Sequence, residues 1–153
     1  MPDLIRGWSP DRFGESGRLD VPWLGATVEV NNWDGADRAY AEACASHLVR
    51  LTNGVIDQLV AATARYRAAS LEEVGARLPP LAAPRDVLTE VAPLAMSVPV
   101  PHDDAPVVHL EANCAWEEEH GLEWVVRGDR VVYVGPYEGV DSWKTYPPGY
   151  SYV

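Results

Sequence analysis

The stretch from Val107 to Gly135, VVHLEANCAWEEEHGLEWVVRGDRVVYVG, constrains the fold more than any other part of this chain. From Val108 to Trp116, apolar Val108, Leu110, Ala112, Cys114 and Trp116 alternate with His109, Glu111 and Asn113. That period of two belongs to a strand with one buried face. Leu122–Arg127 and Arg130–Gly135 then flank Gly128-Asp129, a two-residue hairpin turn of the Gly-X kind. A register centred on that turn sets Val126 opposite Val131, Val125 opposite Val132 and Trp124 opposite Tyr133. Leu122, Trp124, Val126, Val131 and Tyr133 would then share one face. The result is a three-stranded antiparallel meander over 107–135, whose apolar face needs a cover.

The cover is expected from residues 36–69. Tyr40, Cys44, Leu48, Leu51, Val55, Leu59, Ala62 and Tyr66 recur at helical spacing and form one stripe. Asn53-Gly54 interrupts good helix formers, and a helical Gly costs about 1 kcal/mol against Ala. Because the stripe stays in phase, the spacing predicts one long amphipathic helix over 36–69, with Asp34 as N-cap. Leu24–Val30 alternates as a half-buried strand, and Leu94–Val100, bounded by prolines, reads as an edge strand. Ser70 with Glu73 suggests a separate short capped helix, and Asp86–Ala92 another. Residues 1–22 read as an irregular N-terminal arm. In the Tyr-, Trp- and Pro-rich tail, 136–153, the aromatics are expected to fold back over the sheet edge. The predicted class is α+β, one domain over 1–153. Its antiparallel sheet comprises the meander 107–135 and strands near 24–30 and 94–100, packed on the helix 36–69.

Charge narrows function. The formal net charge is −11. Between Asp103 and Asp141 ten acidic residues face only Arg127 and Arg130. So acidic a chain is a poor match for nucleic acid, which needs a basic face. No apolar run reaches membrane-spanning length and the N-terminus has no signal-peptide core. A cytoplasmic location with no membrane partner is therefore expected. Lys144 is the only Lys among the twelve basic residues, a bias suggesting a high-G+C bacterial genome. Cys44 and Cys114 sit in apolar-periodic segments and are expected as buried thiols.

The most conspicuous cluster is Glu117-Glu118-Glu119-His120-Gly121. Three adjacent glutamates cannot all face one cavity, and burying them unpaired would be costly. A solvated turn, with Gly121 at positive φ, is the expected reading. His109, Glu111, Glu119 and His120 have the chemistry of a metal-dependent hydrolase, but Cys114 lies on the opposite strand face and no paired Cys/His spacing is present. No Gly-x-Ser-x-Gly elbow or phosphate loop occurs. No catalytic residue, metal or cofactor is assigned. The leading expectation is instead a non-catalytic domain that binds a protein, in its most concrete form a basic toxin neutralised by an immunity protein. The binding face would use Asp103, Asp104, Glu117, Glu118, Glu119 and Glu123 for electrostatic steering, with His120 alongside and Trp116 or tail aromatics as anchors. A small metal-dependent hydrolase and an oligomeric module are the alternatives.

The segment Cys114-Ala115-Trp116-Glu117-Glu118-Glu119-His120-Gly121-Leu122, followed by a strand and Val134-Gly135, resembles an uncharacterised bacterial domain family. The family's mark is a strand ending in Cys-x-Trp, then x-x-Glu-His-Gly, then a hairpin. The resemblance implies an α+β domain found beside small acidic proteins of the toxin-immunity type. It also implies that Trp116, Glu119, His120 and Gly121 are signature residues.

Overall fold

The structure, a computed structural model, describes residues 3–153. Among the described residues seven strands form one sheet in chain order: β1 (Arg6–Pro10), β2 (Glu15–Val21), β3 (Ala26–Asn32), β4 (Val91–Ser97), β5 (Val107–Cys114), β6 (Leu122–Arg127) and β7 (Arg130–Gly135). All neighbours are antiparallel except β3 (Ala26–Asn32) and β4 (Val91–Ser97), which run parallel. A parallel pair needs a crossover, and the helices supply it. Helices α1 (Arg38–Val49) and α2 (Asn53–Val74) lie between β3 and β4 in the chain.

The stripe of apolar residues is buried as its spacing implies, but it is carried by two helices and not one. Cys44, Leu48, Leu51, Val55, Leu59, Ala62 and Tyr66 all lie in the core. The break falls just before Asn53-Gly54. Thr52 is extended and its side chain accepts from the Val55 amide, a cap that starts a new helix. The N-cap of α1 is Asp37, which accepts from the Tyr40 amide at 2.8 Å, so Asp34 is not used. Ser70 starts no helix of its own. The chain stays helical to Val74 and stops at Gly75 in the left-handed conformation.

Two further expectations need correction. The irregular arm expected over 1–22 is corrected from residue 3 onward, because Arg6–Pro10 and Glu15–Val21 form β1 and β2, and residues 1 and 2 lie outside the described residues. In β2 only Leu19 and Val21 offer apolar side chains inward, with Gly17 between them and Ile5. A Cβ at Gly17 would sit 2.5 Å from the Ile5 side chain, so a glycine that reads as loop is required by packing. The strand expected at Leu94–Val100 starts and ends earlier, after a short 3-10 helix over Pro84–Glu90, and it is central and not an edge. Pro93 is tolerated there because β3 pairs only from Ala95 onward and the β5 register shifts between Pro93 and Ala95.

The meander consists of β5 (Val107–Cys114), β6 (Leu122–Arg127) and β7 (Arg130–Gly135). One irregularity changes its faces. Val126 pairs with Val131, but Val125 pairs with Tyr133 and Trp124 with Val134, so Val132 is an extra residue in β7. Trp124, Val126, Val131 and Val134 therefore join the helix-side core, while Val125, Val132 and Tyr133 form a second cluster with Val140. Two polar groups on the helix side are satisfied across the layers. The Trp124 indole donates to Thr63 Oγ1 at 3.0 Å, and the Tyr66 hydroxyl donates to the Gly121 carbonyl at 2.8 Å. Cys44 and Cys114 are buried free thiols. Burial pushes the Cys114 thiol up to about 11.

On the opposite face the two halves of the sheet differ. Near β2 and β3, Arg18, Asp20, Thr27 and Glu29 are exposed. Over β5 to β7, residues 136–150 lie across the sheet as a strap. Tyr133 meets Tyr146 at 6.0 Å and Tyr150 at 6.1 Å, and the last two stack at 4.8 Å. The chain then rounds the β7 edge, where the Tyr152 amide donates to the Val134 carbonyl and its ring stacks on Tyr66.

Candidate functional site

The strap is fastened by one carboxylate. Strand alternation turns Glu123 of β6 away from the helices, and the strap seals it completely, so it has no exposed surface. Its Oε1 accepts from the Glu138 and Gly139 amides at 2.9 and 3.1 Å, and its Oε2 from the Val140 amide at 3.1 Å. Oε2 also meets His109 Nε2 from β5. The other ring nitrogen, Nδ1, lies 2.8 Å from the Ser142 hydroxyl. Glu123, His109 and Ser142 thus form a continuous hydrogen-bonded line running from the sheet into the strap. A buried carboxylate is tolerated because its lone pairs are filled by N–H donors.

The outer end of this line opens into a cavity of about 340 Å³. Val98, Pro99, Val100 and Val140 give it apolar walls, and Asp34 and Asp141 give it carboxylates. Ser142 is buried and Trp143 is half-buried. The Trp143 ring stacks on His102 at 4.9 Å, with the Arg127 guanidinium 5.9 Å from its centre. Arg127 also donates to the Ser142 carbonyl at 2.7 Å, holding the strap at this point. Glu111 lies across from Glu123 in the strand register. Burial, then the neighbouring Glu123 carboxylate, raises the Glu111 carboxyl above its usual range, against a smaller opposing effect of His109.

The residues expected to form a binding face are not together. Asp103 and Asp104 are exposed in the loop before β5, and Glu117, Glu118 and Glu119 follow its far end. Eight strand residues separate the two loops, about 25 Å at the usual rise per residue. Glu123 belongs to neither group, because the strap buries it. Nor is Trp116 a surface anchor. It is buried edge-on against Tyr66 at 5.7 Å, and its indole N–H has no partner.

The turn at Glu117–Gly121 is built from its own atoms. Glu117 Oε1 accepts from the Glu119 and His120 amides, and its other oxygen lies 3.3 Å from His120 Nδ1. Partial burial opposes ionisation of Glu117, but the hydrogen bonds from His120 and Glu119 outweigh it and hold the carboxyl below its usual range. Gly121 has φ +71°, and a Cβ there would stand 2.5 Å from the Ala112 carbonyl oxygen. Gly121 is thus a requirement of the fold.

The grouping of His109, Glu111, Glu119 and His120 weighed as an alternative metal site is not brought together among the described residues. His109 is committed to Glu123 and Ser142. Among the described residues, Glu117, Glu119 and His120 are the set whose ligand atoms come within 4.8 Å of one another, and the last two are exposed. Sequence reasoning missed Ser142 and the Asp34 side of the cavity, for which no local pattern exists. The available signal was Glu123 itself, a carboxylate inside the apolar run Leu122–Val126.

A family described as a domain of unknown function, DUF6985, matches residues 4–141. The chain belongs to the DUF6985 family. The DUF6985 match takes in all seven strands, both helices and the Glu123-binding amides, and it ends one residue before Ser142. No curated protein and no solved structure matches the chain. Among the described residues no helix is long and apolar enough to cross a membrane.

Proposed function

We propose that this chain is a protein-binding domain that docks a basic partner, with neutralisation of a basic toxin by an immunity protein as its most concrete form. The surface that fits this role best is the end of the sheet where β3 and β4 finish and β5 starts. Asp34, Asp103, Asp104 and Asp141 are all exposed there. The β1–β2 turn reaches the same end, because Glu15 pairs with Asn32. It brings Phe13 beside Trp33, rings 5.2 Å apart and exposed by 60% and 44%. Asp11 accepts from the Trp33 indole at 3.0 Å and fixes that ring.

The observation that carries the reading is this pairing of a pre-oriented exposed aromatic couple with carboxylates that have no basic partner among the described residues. Four arginines pair elsewhere, Arg6, Arg38, Arg67 and Arg85 with Asp20, Glu15, Glu90 and Asp57, while Arg12 lies over the Phe13 ring at 5.5 Å. Aromatic anchors ringed by charge dominate binding energy at interfaces, and opposite charge speeds encounter. The cytoplasm of a bacterium is the proposed setting.

The test is binding to the basic products of genes adjacent to this one, measured at low and high salt. Association should weaken at least tenfold between about 0.05 and 0.5 M salt, because the Debye length shrinks from over 10 Å to a few ångströms. Trp33→Ala should cost about 2 kcal/mol or more. Binding that ignores both salt and Trp33→Ala would sink the proposal.

A further inference from the structure

The Ser142–His109–Glu123 line plays no part in the docking just described, and it ends in a cavity. We infer that Ser142 is an activated nucleophile that accepts an acyl group from a small, uncharged or cationic ester. Five observations on this chain support it. The carboxylate is wholly buried and pinned by three main-chain amides, so it cannot turn away from the ring. It accepts at Nε2, and an ionised carboxylate accepts only, so the neutral ring keeps its proton on Nε2 and leaves Nδ1 bare. The bare Nδ1 is the atom that meets the Ser142 hydroxyl, at 2.8 Å. His109 and Ser142 both line the cavity of about 340 Å³, whose walls Val98, Pro99, Val100 and Val140 suit an apolar acyl chain. Asp34 and Asp141 on the same lining repel an anionic substrate.

The chemistry balances with water as the only co-reactant. Ser142 Oγ forms a bond to the ester carbonyl carbon while its proton passes to His109 Nδ1, and Glu123 stabilises the resulting imidazolium. The bond from carbon to the leaving oxygen breaks, and that oxygen takes the proton from Nδ1. Water then attacks the acyl-serine by the same route, giving the carboxylic acid and free Ser142. His109 is the general base, and Glu123 is a positioning residue.

A fluorophosphonate probe tests this on the intact protein, with a known serine hydrolase as labelling control. The probe should add once per chain, and peptide mapping should place the adduct on Ser142. Ser142→Ala should abolish labelling while its near-ultraviolet circular dichroism stays that of the wild type. His109→Gln should slow labelling about 100-fold or more, the usual share of a general base. Glu123→Gln should slow it less and leave the adduct on Ser142. No adduct on wild-type protein beside a labelled control, or adducts spread over other hydroxyls and undiminished in Ser142→Ala, would overturn the assignment. Salt-sensitive docking to a basic partner is read separately, so either proposal can fail while the other stands.

Discussion

Replacing Glu123 by Ala tests whether one carboxylate fastens the strap. The side chain is fully buried and accepts from the Glu138, Gly139 and Val140 amides and from His109. Removing it strands four donors at once. A buried unsatisfied group costs about 1–3 kcal/mol, but the strap can lift and rehydrate some of them. Glu138 and Gly139 are exposed and would recover water readily, whereas Val140 and the His109 ring are covered. The net loss should be about 3–4 kcal/mol, two fully stranded groups plus part of the packing of Val140 on Val125 and Tyr133. In a chain of this size that lowers Tm by roughly 6–16 °C at about 2–4 °C per kcal/mol. Urea unfolding gives the free energy. Hydrogen exchange gives the location, with protection lost first at 138–142 and at Tyr133 while α2 keeps its own. A Glu123→Ala protein within about 0.5 kcal/mol of wild type, the range of an ordinary surface substitution, and with an equally protected strap would show that this carboxylate does not fasten the strap.

Other perturbations probe other joints. Arg67 is buried against Glu90 at 2.7 Å and also donates to the Pro79 carbonyl, so Glu90→Ala leaves an uncompensated cation and should cost about 3–5 kcal/mol in urea unfolding. Gly121→Ala meets both a positive φ and the Ala112 oxygen at 2.5 Å, and should destabilise by about 2 kcal/mol or more, whereas His120→Ala in the same exposed turn should stay within about 0.5 kcal/mol. Burial raises the Cys114 thiol from 9.0 to about 11. An acid raised on folding leaves the native state holding a proton that the unfolded chain has released, so this contribution to stability falls as pH rises from about 9 to about 11. A Cys114→Ser protein, whose hydroxyl does not ionise there, should show a shallower loss in that window by thermal melts.

The sequence carried the meander because period-two alternation and a Gly-X turn are local signals. It carried the buried stripe of the helices for the same reason. It did not carry their break, since the Thr52 cap competes with a stripe that stays in phase across it. Nor did it carry β1 and β2, where Gly17 replaces the expected apolar side chain because Ile5 packs on its backbone. The extra residue Val132 was also hidden, and that single irregularity turns Tyr133 from the helix side to the strap side. The acidic residues were visible as a run, but a run in sequence became two ends of a strand about 25 Å apart. Glu123 was visible and misassigned to the surface. Its burial depends on a strap that returns from residues 136–150, a contact no local pattern encodes.

The claim on which the rest stands is that the strap locks the His109 ring between Glu123 and Ser142. Nitrogen-15 spectra of the histidine side chains test it directly, in buffer alkaline enough to hold the rings neutral. His109 should be protonated at Nε2 alone, with a slowly exchanging proton that disappears in Glu123→Ala. A ring protonated at Nδ1, or one exchanging between both forms, would contradict the lock.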